Sequence, residues 1–238
     1  MNEKNKILFL GASITQGKIS KSYVKMLKKQ LGKKQYKYIN HGIAGYESYN
    51  VLNKLNKSIE IKPDFVIILV GTNDILSSLD PKLAKLSRKL KKIPHEPELS
   101  HYSNNIKNII KQLKQDTDSK IAIVSLPIIG ENLESIENKT IADYNTELKK
   151  ICENENVVYL PVHEKQKEFL INKNNGKGKE YIKSSKMAFK SLFLHYLLFL
   201  SLDTISKKNG YLLLTDGIHQ NTIGAKFITE EIANFIKK

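Results

Sequence analysis

The chain has one cysteine, one arginine and no apolar run long enough to cross a membrane, and each shortage narrows what it can be. A lone Cys152 excludes an intramolecular disulfide and a thiolate metal cluster. It stands with Leu148 and Ile151 on an apolar helical face and reads as a core residue. Arg88 is the only arginine among 39 basic residues, so the formal charge of +15 is almost entirely lysine. Those lysines are spread along the whole chain, whereas base and phosphate readout draws on arginine's planar fork. Nucleic acid is therefore not the expected partner, and the lysine-, asparagine- and isoleucine-rich composition reads as a habit of the source. The uncharged stretch Ser191 to Leu202 falls well short of the roughly 20 residues that a membrane-spanning helix needs. The first strand begins within a few residues of Met1, which leaves no room for a cleavable signal peptide and predicts a cytoplasmic protein.

Nucleotide signatures are missing too. A Walker loop built on Gly17-Lys18 needs a glycine at position 12 and a hydroxyl at position 19, and those residues are Ala12 and Ile19. A dinucleotide fingerprint fails because Ser13 stands where its second glycine belongs.

What is present is organised around Lys6–Gly17, KILFLGASITQG. The apolar run Ile7 to Leu10 suits a strand buried on both faces, as in the middle of a parallel sheet. Gly11 ends it, Ser13 and Thr15 follow, and a helical pattern starts after Gly17. With phosphate binding disfavoured, such a strand-turn-helix junction presents a nucleophile at the carboxyl edge of the sheet.

At 238 residues the chain suits one α/β domain. Strands are expected at Tyr36–Asn40, Phe65–Val70, Ile121–Ser125 and Val157–Leu160. Helices are expected at about Ser20–Leu31, Glu47–Ile61, Tyr102–Gln115, Ile141–Asn154 and Thr222–Ile236. Pro81–Glu98 reads as a short exposed helix and a loop, and Lys165–Lys186 as a lysine-rich stretch. In Met187–Leu202 the residues Phe189, Leu192, Phe193, Tyr196, Leu197 and Leu200 follow helical spacing, and a core helix is expected ahead of a lid or a membrane-touching face. Tyr211–Leu214 is a last apolar run, leading into Thr215-Asp216-Gly217-Ile218-His219.

The strand ends at Ser13, Gly45 and Asn73 fall along one edge of such a sheet, and the parts meet the needs of acyl transfer. A serine hydroxyl is a weak nucleophile until a base takes its proton. His219 can be that base, with Asp216 on its other ring nitrogen. The N–H groups of Ser13 and Gly45 and the side-chain amide of Asn73 can face the negative charge that develops on the carbonyl oxygen. His41 is the rival base, though it reads more simply as a turn residue. His95, Glu96 and His101 lack helical metal-ligand spacing, and His163 and His195 read as packing or surface residues.

Four blocks resemble the SGNH (GDSL-like) hydrolase family: Gly11–Gly17, Asn40–Gly45, Gly71-Thr72-Asn73-Asp74 and Asp216-Gly217-Ile218-His219. They stand in the family's order after matching strands. The resemblance implies a three-layer α/β/α sandwich of flavodoxin-like type on a five-stranded parallel sheet. It implies one domain over 1–238, with a variable helical segment at about 163–210, which matches no block. By the same carry-over Ser13 is the nucleophile, His219 the base and Asp216 its partner, with Ser13, Gly45 and Asn73 as oxyanion donors and with no metal or cofactor. Ala12 and Ile14 stand where the family usually has Asp and Leu, which changes what supports the Ser13 turn but none of these roles. The expected function is a serine esterase acting on small acyl or acetyl esters of a carbohydrate or lipid. The alternative is a basic protein that binds anionic polymers and carries an idle hydrolase site.

Overall fold

The computed structural model describes residues 4–182, 191 and 193–238. Its sheet has five parallel strands, β1 (Asn5–Gly11), β2 (Tyr36–Gly42), β3 (Phe65–Leu69), β4 (Lys120–Val124) and β5 (Val158–Leu160), in the order β2-β1-β3-β4-β5. The middle strands are the ones written as unbroken apolar runs, and Ile7–Leu10, Val66–Leu69 and Ile121–Val124 are all buried. Runs without a polar face need cover on both sides. Helices Tyr23–Leu31, Val162–Asn174 and Thr222–Lys237 pack together as one layer; Ser48–Asn53, Leu99–Asp116 and Ile136–Asn154 form the other. The result is a three-layer α/β/α sandwich. Phe9 shows the packing on one side, its ring edge-on to Tyr23 at 5.9 Å and stacked on Tyr38 at 6.5 Å.

The chain leaves β1 toward β2 on one side and later returns to β3 on the other. At such a switch point the connections diverge and open a crevice beyond the carboxyl ends of the strands. Gly11, Gly42 and Leu69 stand at one register level there, so the segments that follow all three start from the same edge.

Several elements differ from expectation for local reasons. The first long helix starts at Tyr23 rather than Ser20, because the Ser20 hydroxyl is held by the backbone of Gln220 and Ser22 supplies the cap by accepting from the Lys25 N–H. The expected helix Glu47–Ile61 is two short ones, Ser48–Asn53 and Asn56–Ile59. Asn50 closes a capping box with Glu47 at the start of the first, and the chain leaves it through i→i−3 bonds from the Lys54 and Leu55 N–H groups to the Val51 and Leu52 carbonyls. Val162–Asn174 forms a helix at the start of the stretch 163–210 expected as a variable helical segment, its apolar residues Phe169, Leu170 and Ile171 being consecutive rather than spaced. Pro81–Lys91 is the expected short helix, capped by Asp80.

The core-helix expectation for Met187–Leu202 needs correcting. Phe189 and Leu192 lie outside the described residues, but Phe193 and Tyr196–Phe199 are on the surface. Helical spacing reports a shared face, and the two helical layers already cover the sheet. No helix among the described residues is long and apolar enough to cross a membrane.

Candidate active site

The turn after β1 exists because Gly11 has no side chain. A Cβ there would lie 2.2 Å from Thr15 Oγ1 and 2.3 Å from the Leu69 carbonyl oxygen. Ser13 opens a single helical turn, Ser13–Gln16, closed by Gly17 in the left-handed region at φ 70°. The turn is fixed from several sides. Tyr23 Oη donates to the buried Thr15 Oγ1 (3.0 Å), and the Asn40 amide donates to the Thr15 carbonyl (2.7 Å). The Ile43 N–H donates to the Gly11 carbonyl at 3.1 Å, which ties the second block to the first.

Ser13, His219 and Asp216, from opposite ends of the sequence, are joined by one line of hydrogen bonds. His219 Nε2 lies 2.9 Å from Ser13 Oγ, and His219 Nδ1 lies 2.8 Å from Asp216 Oδ2. Asp216 Oδ1 also accepts from the N–H groups of Ile218 (3.1 Å) and His219 (2.9 Å). Both His219 and Asp216 are buried. Burial alone would raise the Asp216 pKa; the adjacent His219, the ring bond and the two N–H donors outweigh it and hold the carboxyl below its ordinary value. An ionised Asp216 keeps the proton on Nδ1 and leaves the Nε2 lone pair facing the serine hydroxyl.

The loop carrying Asp216 and His219 is anchored by a residue that the sequence does not mark out. The buried Glu131 carboxylate accepts from three successive N–H groups, those of Leu212 (2.9 Å), Leu213 (2.7 Å) and Leu214 (3.2 Å). Tyr211–Leu214 is thus an apolar run with three N–H groups satisfied by a side chain instead of a sheet neighbour. Burial raises the Glu131 pKa, and the three N–H bonds only partly offset it. An acid two residues after the apolar Ile128-Ile129, beyond the end of β4, is the one available signal. Past the histidine, the Gln220 N–H donates to Ser20 Oγ at 3.0 Å and the Lys21 N–H to the Gln220 carbonyl at 2.7 Å. The segment that carries His219 and the one that follows Ser13 are therefore sewn together.

The third block is bonded to the second. Asn73 Nδ2 donates to the Tyr46 carbonyl at 2.8 Å, and Asp74 takes the Ser48 N–H at 3.0 and 3.1 Å and its hydroxyl at 2.5 Å. Burial first, and the nearby Glu47 charge second, raise the Asp74 pKa to about 7. Gly45 turns between these contacts at φ 77°. Among the described residues the N–H groups of Ser13 and Gly45 have no acceptor within the chain. An amide nitrogen carries two hydrogens, so Asn73 keeps one beside its bond to Tyr46.

The rival histidines have other partners. His41 Nδ1 meets Ser58 Oγ at 2.7 Å, and burial lowers its pKa. His95 and His101 stack at 4.1 Å, each with Nδ1 on the Glu96 carbonyl, while the Glu96 carboxylate pairs with Arg88. No cluster of three potential metal ligands occurs among the described residues. Cys152 is buried in the main core, and burial pushes its thiol up to about 12.

The profile of the GDSL-like Lipase/Acylhydrolase family matches residues 9–185, a span that contains Ser13, Gly45 and Asn73 and ends before Asp216. Solved structures share the fold. An acetyl xylan esterase, AlAXEase, is 18% identical with a TM-score of 0.68 over 97% of this chain and 99% of that one. Axe2, an acetylxylan esterase from Geobacillus stearothermophilus, is 18% identical with a TM-score of 0.66 over 100% of this chain and 97% of that one. Catalytic mutants of Axe2 replace a serine, an aspartate and a histidine by alanine, the last two three positions apart. No curated protein sequence matches this chain.

Proposed function

Because the chain belongs to the GDSL-like lipase/acylhydrolase family and is a carboxylic ester hydrolase, we propose that Ser13, His219 and Asp216 carry the reaction and that its substrates are small acyl or acetyl esters. The observation behind the assignment is the bond line from Ser13 Oγ through His219 to Asp216. Ser13 Oγ attacks the ester carbonyl while His219 Nε2 takes its proton, and Asp216 stabilises the imidazolium without taking that proton itself. The charge that gathers on the carbonyl oxygen meets the N–H groups of Ser13 and Gly45 and the free amide hydrogen of Asn73. His219 then returns the proton to the leaving alcohol. A water activated by the same imidazole releases the acid and frees Ser13.

Acetyl groups on a carbohydrate are the substrate class favoured. AlAXEase and Axe2 are acetylxylan esterases, and in Axe2 the residues changed in its catalytic mutants match the proposed set in type and in the spacing of aspartate to histidine. The test is a panel of esters varying in acyl length and alcohol, from p-nitrophenyl acetate to acetylated xylooligosaccharide, read with Ser13→Ala. That substitution should lower the rate by roughly a thousandfold or more while leaving the fold intact. Unchanged turnover in Ser13→Ala would overturn the assignment. Turnover confined to long acyl chains would remove acetyl esters from it.

A further inference from the structure

We propose that the face formed by the groove beside the helix Tyr23–Leu31 and the exposed tip Leu197–Phe199 docks on an anionic phospholipid bilayer. The groove holds about 960 Å³ and is lined on one side by Lys18, Lys21, Lys25 and Lys29. Lys25 and Lys29 stand four residues apart on one side of the helix, with Lys21 just before its Ser22 cap, and like charges at that spacing oppose helix formation. The opposite side of the helix is spent on the core through Tyr23, Val24 and Leu27. Among the groove's described residues the only carboxylate is Asp203, already taken by the Thr222 N–H (2.8 Å) and hydroxyl (2.6 Å). Among the described residues none of the four lysines has a carboxylate within ion-pair distance. An anion supplied from outside is the missing complement.

The tip supplies the second half of the surface. Leu197 is 63% exposed, Leu198 54% and Phe199 89%. Phe199 also has φ 52°, in the left-handed region that a bulky residue adopts only at a cost. The turn is closed by a side chain, with His195 Nδ1 2.8 Å from the Leu200 carbonyl oxygen. Tyr196 Oη donates to the Lys18 carbonyl at 2.9 Å, which fastens the tip to the lysine edge. Strain plus a bare aromatic ring, held in place by specific bonds, is the pattern of a segment kept for contact. Leucines and a phenylalanine beside a band of lysines suit a lipid headgroup boundary, where the apolar side chains enter the acyl region and the ammonium groups meet phosphates. Nucleic acid would use the lysines but leave the two leucines in water, and the only arginine, Arg88, is not among the groove residues.

The experiment is co-sedimentation of the full chain with vesicles of phosphatidylcholine alone and with an equimolar mixture of phosphatidylglycerol and phosphatidylcholine. Binding to the mixed vesicles, weakened by salt and absent from phosphatidylcholine alone, is expected. Lys25→Glu with Lys29→Glu should lower the bound fraction about tenfold or more, and Leu198→Asp with Phe199→Asp should abolish it. Both double variants should keep wild-type turnover of p-nitrophenyl acetate and wild-type thermal unfolding, which separates lost docking from misfolding. Ser13→Ala should still sediment, so docking stands or falls apart from the proposed chemistry. Failure of the wild-type chain to bind mixed vesicles, or undiminished binding by Leu198→Asp with Phe199→Asp, would overturn the proposal. So would tighter binding to single-stranded DNA that ignores the tip substitutions.

Discussion

The sheet edge around Ser13 and the surface around Phe199 treat their side chains in opposite ways. At the edge, a serine, a histidine and an aspartate from the two ends of the chain are joined at 2.9 and 2.8 Å, and the loops that bear them are bonded to one another. At the tip, Leu197, Leu198 and Phe199 stand in water, held by a tyrosine hydroxyl and a histidine ring at their flanks. The first region is specified by many constraints that must hold together, so most changes there cost function. The second has few constraints inward and is free to be shaped by what lies outside.

If that contrast is right, the largest effects should come from the bond line itself. His219→Ala should lower kcat/KM by about ten-thousandfold or more, and Asp216→Asn by a large but smaller factor, since the serine can still reach the imidazole in the wrong tautomer. Steady-state kinetics on p-nitrophenyl acetate measures both, and an Asp216→Asn enzyme as active as wild type would break the account of the edge. Next is Asn73→Ala, which should reduce kcat by about a hundredfold or more with little change in KM, the signature of a donor that acts in the transition state. A rise in KM alone would instead make Asn73 a residue that holds the Tyr46 loop.

A third effect is on stability and depends on pH. Burial, with Glu47 nearby, raises the Asp74 carboxyl from its ordinary 3.8 to about 7. Over that interval the folded chain keeps a proton that the unfolded chain has released, so stability contributed by this group falls as pH rises and levels off above about 7. The loss amounts to roughly 1.4 kcal/mol for each pH unit crossed within that interval. Asp216 acts with the opposite sign but at lower pH, because its carboxyl is held below its ordinary value. Urea unfolding at about pH 5 and about pH 8 should therefore show a smaller loss of stability in Asp74→Asn than in wild type. Equal losses would mean that Asp74 is not the buried acid responsible. The smallest effect belongs to the tip: Leu198→Ser should change p-nitrophenyl acetate turnover by less than about twofold. A larger loss would tie the tip to the chemistry and erase the contrast.

The same division explains what the sequence discloses. The buried strands are legible because apolar runs such as Phe65–Leu69 admit few other environments, and the four blocks are legible because each follows such a run. The start of the first long helix is not, since the bonds between Ser20 and Gln220 join positions far apart in sequence. Glu131 is hidden for the same reason: its three N–H partners lie more than eighty residues away. The helical spacing of Phe193, Tyr196 and Leu197 marks one face, but spacing does not say whether that face meets the core or the solvent.

The central claim is that the Ser13 edge is a working esterase site and not an idle inheritance. A serine-reactive phosphonate, followed by peptide mass mapping, tests it most directly. The account predicts one label per chain, on the peptide carrying Ser13, formed at the rate at which p-nitrophenyl acetate turnover disappears, and very slow labelling in His219→Ala. Complete loss of turnover with Ser13 unlabelled, or a label on another residue, would contradict it.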